Sequence, residues 1–430
     1  MNRKMLSTIS IAILLISTIL LLPVGQSNFQ PEIDNNQKII EMFLQVDESR
    51  IYNYHEKLMN FGPRYTGSIN CSLAADYIYD EFEKMDLEVE FHNWEYDGFQ
   101  SRNIIATLNG SDKNSNAIFI MSAHYDCTPG SLGADDDGSG VAAVLAAAEI
   151  MSKYSFNHTV RFIAFSGEEV GTYGSFTYAR DAYEQGDNIV AVINIDMIGY
   201  AETTEGGKYI RFHSPERSMW IAEFATAIGE KYGEFLDMYV ETRPNYIGAD
   251  HQAFVDYGYD GVWIAHHDGY QWANTPEDTP DHLNWTYQTK ATKLLLAVVA
   301  ELAIKPLDVQ VVLRSPYEGK GYIFNKPIFS LACGKGWYKN RRGMTLIFGR
   351  ADAIADVFSD EKIEYVVFCL DGNFMKFDSE PPYEWKIQGK HYPVFGKTKL
   401  KVYAYTESQK FATDEMDITI FTTSCQYGKW

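Results

Sequence analysis

The chain is predicted to fold as an α/β domain, with a mostly parallel central sheet covered by helices on both faces, followed by a C-terminal all-β sandwich. Three observations carry this reading. At 430 residues, 46% hydrophobic and 14% aromatic, the chain exceeds one ordinary domain and has ample apolar material for real cores. From Asp34 to about Lys305, short β-branched apolar runs alternate with longer amphipathic stretches, as in a sheet sandwiched between helices. After Pro306 the pattern becomes short strands separated by turn signals, with no helix required.

The first segment is a leader. Arg3 and Lys4 precede an apolar run over residues 5–22, closed by Pro23 and the small or polar Gly25, Gln26 and Ser27. This is the signal-peptide pattern over residues 1–27, although the run is long enough to persist as a membrane anchor if no peptidase cuts it. The rest of the chain is therefore expected outside the cell, secreted or held at its surface.

The second segment, residues 34–305, contains three apolar strands that each run into chemistry. Residues 117–123 lead into His124, residues 160–165 into Glu168 and Glu169, and residues 189–195 into Asp196. Helices are predicted over 139–153 and 173–183, each joining two parallel strands, and over 286–303, ending before Pro306. In open α/β sheets ligands gather beyond the carboxyl ends of the strands, so the three strand ends are expected to converge. The third segment, residues 306–430, reads as a β-sandwich with strands at 308–313, at 363–370 before the turn Asp371-Gly372, and at 399–405.

Composition excludes several partners. The formal net charge is -21, from 58 acidic and 37 basic residues, which argues against nucleic acid or an anionic membrane as the main partner. Five scattered cysteines, without a CxxC, form neither a disulfide framework nor a thiolate metal site. Cys369 and Cys425 are the better-placed pair, with buried free thiols the alternative.

Three clusters hold metal-capable or acid-base groups. In the first, His124-Tyr125-Asp126 is followed by Gly133-Ala134-Asp135-Asp136-Asp137-Gly138-Ser139-Gly140. Three consecutive carboxylates repel one another, and a cation relieves that cost. Asp126 is spaced to take the second imidazole N–H of His124. The bland alternative is an acidic loop capping a helix. The second cluster, Ser166-Gly167-Glu168-Glu169, lets one glutamate bind metal and its neighbour act as base only if the chain turns, which Gly167 and Gly171 permit. The third, Asn194-Ile195-Asp196-Met197-Ile198-Gly199, gains weight from standing third in a series.

In this order and spacing, HYD, GADDDGSG, SGEE and NIDMIG resemble the co-catalytic zinc exopeptidases typified by secreted leucine aminopeptidases, with glutamate carboxypeptidases and glutaminyl cyclases as relatives. Asn60-Phe61-Gly62-Pro63-Arg64-Tyr65-Thr66-Gly67-Ser68 and Asp250-His251-Gln252-Ala253-Phe254 extend the likeness. The resemblance implies zinc, one or two ions per chain: His124 and Asp196 on one, Asp136 bridging, Glu169 on the second. It also implies Glu168 as general base and Asp126 as the group orienting His124. One position departs from the pattern. Asn274, before Thr275-Pro276-Glu277-Asp278-Thr279, stands where the family carries a histidine ligand, and His266 or His267 is a candidate substitute. The C-terminal segment resembles immunoglobulin-like domains appended to exported proteins.

The function implied is an extracellular aminopeptidase acting on peptides. A carboxypeptidase or a glutaminyl-cyclase-like acyl transferase on the same fold, and a degenerate surface-binding protein, are the alternatives. Contact with a cell surface or matrix is expected through the C-terminal domain, and with membrane only through an uncleaved N-terminal segment.

Overall fold

In a computed structural model, the described residues are 35–421, except 114, 306–308, 318, 331–344, 360 and 389–394. The leader, Cys333 and Cys425 lie outside them. The first domain comprises α1 (Asn35–Leu44), α2 (Glu48–Met59), α3 (Ile69–Glu83), β1 (Glu88–Tyr96), β2 (Phe99–Leu108), β3 (Ala117–His124), α4 (Gly138–Met151), β4 (Thr159–Phe165), α5 (Tyr173–Gln185) and β5 (Asn188–Ile195). It continues through β6 (Tyr209–Ser214), α6 (Met219–Lys231), β7 (Tyr239–Pro244), α7 (His251–Asp256), β8 (Gly261–His266) and α8 (Trp285–Ile304). Helix starts follow their caps: Asp47, Ser68 and Asn284 accept the backbone N–H of Arg50, Cys71 and Tyr287.

The eight strands form one sheet in the order β1-β2-β4-β3-β5-β8-β6-β7. The central neighbours β4, β3, β5 and β8 are parallel, as the apolar runs require, and every residue of β3 and β5 is buried. The flanks make the sheet mixed rather than uniformly parallel: β1 pairs antiparallel with β2, β2 with β4, and β6 with β8. A tight turn explains the first. Asp97 (φ 49°) and Gly98 (φ 85°) are both left-handed, which matches a two-residue hairpin and forces β1 back along β2. One face of the sheet packs on α4 and α8, the other on α5 and α7.

Chain direction across the sheet reverses at β3. The crossover through α4 places β4 on one side of β3, and the crossover through α5 places β5 on the other. A crevice forms where strand order reverses in this way, at the carboxyl ends. His124, Glu168, Glu169 and Asp196 all stand at that end.

The second domain holds β9 (Gln310–Ser315), β10 (Lys320–Ile323), β11 (Lys326–Ser330), β12 (Thr345–Phe348), β13 (Arg350–Phe358), β14 (Ile363–Leu370), β15 (Asn373–Asp378), β16 (Tyr383–Gln388), β17 (Phe395–Thr406) and β18 (Phe411–Phe421). A seven-stranded sheet, β11-β10-β12-β18-β17-β14-β15, and a three-stranded sheet, β16-β13-β9, share one apolar core, a β-sandwich. Phe368, Val402 and Ile418 from one sheet and Val311, Ala353 and Ile387 from the other lie in that core.

Arg314 ties the two domains together. Its Nε donates to Asp356 Oδ2 at 2.6 Å, while its guanidinium also donates to the carbonyls of Gly186 and Tyr183 at the end of α5. A cation on those last carbonyls suits the negative end of the helix. The rings of Tyr183 and Tyr317 meet at 5.5 Å beside it. Cys71, Cys127 and Cys369 are buried.

Candidate metal and acid-base site

His124, the last residue of β3, is almost fully buried and held from one side. Its Nδ1 lies 3.1 Å from the main-chain oxygen of Asp126 and 3.6 Å from Asp126 Oδ1. That contact leaves Nε2 aimed into the crevice, where Asp136 Oδ1 stands at 3.2 Å and Asp196 Oδ1 at 3.7 Å. Nε2 makes no well-formed hydrogen bond there.

Asp126 is fully buried and does more than face the imidazole. Its Oδ2 accepts Thr66 Oγ1 at 2.6 Å and the backbone N–H of Glu169 at 3.3 Å, and its Oδ1 accepts the backbone N–H of Glu168 at 3.3 Å. Burial works to raise its pKa, but the hydrogen bond and charge of His124 outweigh it and hold Asp126 below the usual carboxylate range. The side chain is thus a clamp on the turn that carries both glutamates.

That turn depends on Gly167, whose φ is 81° and whose missing Cβ would sit 2.5 Å from the Trp94 ring. The chain turns as the glycine pattern anticipated, so Glu168 is buried while Glu169 is half-buried. Burial pushes Glu168 well above the ordinary carboxylate range. Burial and the Asp136 charge push Glu169 up to about 9, and its Oε1 is a buried acceptor without a partner.

The aspartate triplet divides its work. Asp137 caps α4: its Oδ1 accepts Gly140 N at 2.9 Å and Met197 N at 3.1 Å, and its Oδ2 accepts His124 N at 3.1 Å. Asp135 accepts Gly199 N at 2.7 Å and faces His266 Nε2 at 3.0 Å. Asp136 alone turns its carboxylate to His124 Nε2. His124, Asp137 and Asp196 each place a ligand atom within 4.8 Å of the others. Asp137, however, has both oxygens committed to backbone donors.

Residues that sequence reasoning left without a role hold this loop in place. Asp278 accepts the backbone N–H of Asp135 at 2.9 Å and of Asp136 at 3.2 Å, together with the Tyr270 hydroxyl at 2.7 Å. Arg64 is fully buried and donates to the carbonyls of Tyr125, Leu132 and Gly133 at 2.8, 2.7 and 3.1 Å. Both lie in segments whose family likeness was visible, yet only the contact shows the function. Asp250 is buried behind the glutamates and accepts Ser175 Oγ at 2.5 Å; burial pushes it up to about 7.

The position of doubt, Asn274, is exposed and in a left-handed conformation, φ 61°, which asparagine tolerates. Its carbonyl accepts Thr128 Oγ1 at 3.4 Å. The two candidate substitutes are engaged elsewhere: His266 between Asp268 O, 2.7 Å away, and Asp135, and His267 against Glu241 at 2.9 Å.

The cluster fits a divalent metal. An imidazole nitrogen and several carboxylates converge, the nitrogen and Glu169 Oε1 lack hydrogen-bond partners, and burial with mutual repulsion raises Asp136 and Glu169, a cost that a cation removes. Nitrogen and oxygen donors of this kind suit zinc.

Residues 103–299 match the profile of peptidase family M28. The M28 match spans β3 through α8 and thus every candidate site residue. Leucine aminopeptidase 1 of Paracoccidioides brasiliensis is 24% identical over 307 residues, covering 65% of this chain and 77% of that protein. Among solved structures, BSAP, a zinc aminopeptidase from Bacillus subtilis, superposes with a TM-score of 0.54 at 18% identity, covering 61% of this chain and 96% of the other. Glutaminyl cyclase of Bacteroides thetaiotaomicron gives 0.53 at 21%, covering 60% and 98%. These two likenesses show the fold.

Proposed function

We propose that this chain is an M28 peptidase, a zinc-dependent aminopeptidase that removes N-terminal residues from peptides outside the cell. The observation that carries the reading is the convergence on His124 Nε2 of Asp136 and Asp196, with Glu168 and Glu169 held beside them by Asp126. In this reading His124, Asp136 and Asp196 hold one ion, and Asp136 and Glu169 a second, toward which Asn274 is the remaining family position. Asp137 is excluded from the ligand set by its three backbone bonds. Bound zinc supplies Lewis acidity, polarising the scissile carbonyl and lowering the pKa of water.

The chain's own residues do the rest. Glu168 takes the proton of the attacking water and returns it to the leaving amine. A cation nearby favours its ionised form, offsetting the burial that otherwise keeps it protonated. The main-chain oxygen of Asp126 keeps His124 in the tautomer with a bare Nε2, and its carboxylate fixes the backbone of the Glu168-Glu169 turn. Among the described residues no helix is long and apolar enough to cross a membrane. Export rests on the leader pattern, and the sandwich, in which we see an immunoglobulin-like module, is the part suited to contact with a surface or matrix.

The test is amino-acid release from a peptide panel by metal-loaded protein and by Glu168→Gln. Wild type should release N-terminal residues from C-amidated peptides and spare N-blocked ones. Equal, slow release by both proteins sinks the enzyme reading and leaves a binding protein. Cleavage of the N-blocked set reverses the polarity to a carboxypeptidase, and loss of ammonia from an N-terminal glutamine would mark a cyclase.

A further inference from the structure

A cleft of about 560 Å³ lies along α5, lined by residues of the α/β part and of the β-sandwich. Six rings line it: Tyr96, Phe176, Tyr183, Tyr257, Tyr317 and Phe329. Ligand sites are commonly of this size and this aromatic. On the α5 side Phe176, Arg180, Tyr183 and Glu184 present one face at helical spacing. From Phe176 to Glu184 the helix rises about 12 Å, the span of about four residues of extended chain.

Two features indicate what fits. Among the described residues, the cleft borders an end strand of each of the two larger sheets: β1 through Tyr96, and β11 through Pro327, Ile328 and Phe329. A sheet edge receives an extended chain through main-chain hydrogen bonds while neighbouring pockets take alternate side chains. Ile328 and Phe329 are 56% and 41% exposed there, apolar surface facing solvent beside a strand edge. The cleft also begins near the acid turn. Tyr173 N donates to Gly167 O at 2.9 Å, the Tyr173 ring meets Tyr96 at 4.9 Å, and Tyr96 meets Phe176 at 5.4 Å.

We propose that this cleft is a subsite for the downstream part of a peptide substrate, binding it extended and favouring apolar or aromatic side chains several residues beyond the scissile bond. The inference rests on the peptidase reading for the identity of the peptide as substrate. The second domain thereby acts in selecting substrates, with Ile328 and Phe329 as its contribution.

Binding and turnover test it separately on the full chain. A fluorescein-labelled, N-acetylated decapeptide with alternating Phe and Leu is titrated by anisotropy, alongside a Gly-Ser decapeptide. The apolar peptide should bind, at least tenfold more tightly than the Gly-Ser one, and Ile328→Asp should weaken it at least tenfold while Glu168→Gln leaves it unchanged. In turnover, Ile328→Asp should raise KM for a free decapeptide at least fivefold and leave kcat/KM for a single-residue chromogenic amide unaltered. No binding by wild type, unchanged binding by Ile328→Asp, or equal effects on both substrates overturns the proposal. If neither substrate is cleaved, the peptidase reading fails and the anisotropy still decides the cleft. Should Ile328→Asp unfold, seen as loss of its thermal transition, Phe329→Ser takes its place with the same expectations.

Discussion

Replacing Asp126 by asparagine isolates the clamp from the metal. The shapes are equal, but an amide has one acceptor oxygen where the carboxylate has two. In the native protein three donors converge on that carboxylate: Thr66 Oγ1 and Glu169 N on Oδ2, and Glu168 N on Oδ1. The amide oxygen is best kept on the side with two donors, so the NH2 turns toward Glu168 N, donor against donor. One hydrogen bond to a charged acceptor is lost, worth about 1.5 to 3 kcal/mol, and the buried N–H of Glu168 is left unpaired. Because Glu168 rides on that N–H, part of the loss falls on the transition state, where each 1.36 kcal/mol is about tenfold in rate. Asp126→Asn should therefore lower kcat about tenfold to a hundredfold and stability by about 2 kcal/mol, with metal content retained. Release kinetics on a leucine amide, denaturant unfolding and metal analysis measure the three. A kcat within threefold of wild type at unchanged stability would refute the clamp, and loss of metal would place Asp126's role at the ion instead.

Further expectations follow from the same geometry. Gly167→Ala places a Cβ 2.5 Å from the Trp94 ring on a left-handed residue, so it should cost at least about 2 kcal/mol in unfolding and most of the activity; a neutral result would mean the turn relaxes freely. His55, buried and bonded at 2.8 Å to Ala134 O, is lowered to about 4 by burial. The unfolded chain, near 6.5, then binds the extra proton between these values, so stability is full above pH 6.5 and falls as pH drops toward 4. Between pH 7 and 4.5 this is about 2 to 3 kcal/mol, measurable as the difference in denaturant unfolding between wild type and His55→Gln. Chelation should lower the thermal midpoint of wild type and of Glu168→Gln alike, since that glutamate is not a ligand; a shift confined to wild type would give it a ligand's role.

Much of the site was legible because its ligands end consecutive apolar strands. Buried parallel strands need continuous apolar runs, and residues just beyond their carboxyl ends share one rim, so His124, Glu168, Glu169 and Asp196 were visible as a set from local pattern alone. Gly167 announced the turn between the two glutamates for an equally local reason, its backbone freedom. The family likeness then added Asp136 and the order of roles.

What local pattern could not supply was the partner of each acid. Three aspartates in a row are indistinguishable by spacing, and contacts from residues 60 and 143 positions away separated them: Met197 N claims Asp137, and Asp278 takes the backbone N–H of Asp135. Arg64 reaches its carbonyls over a similar sequence distance, 61 residues to Tyr125. His266 and His267 were open candidates until packing set them against Asp135 and Glu241. The sequence by itself thus determined the strands, the change from α/β to all-β pattern after Pro306 and the residues at the rim, because periodicity and turn chemistry are properties of neighbours along the chain. Tertiary structure alone decided which carboxylate faces His124 Nε2 and where the second domain meets α5, because a buried polar group is defined by the donors brought to it from elsewhere in the chain.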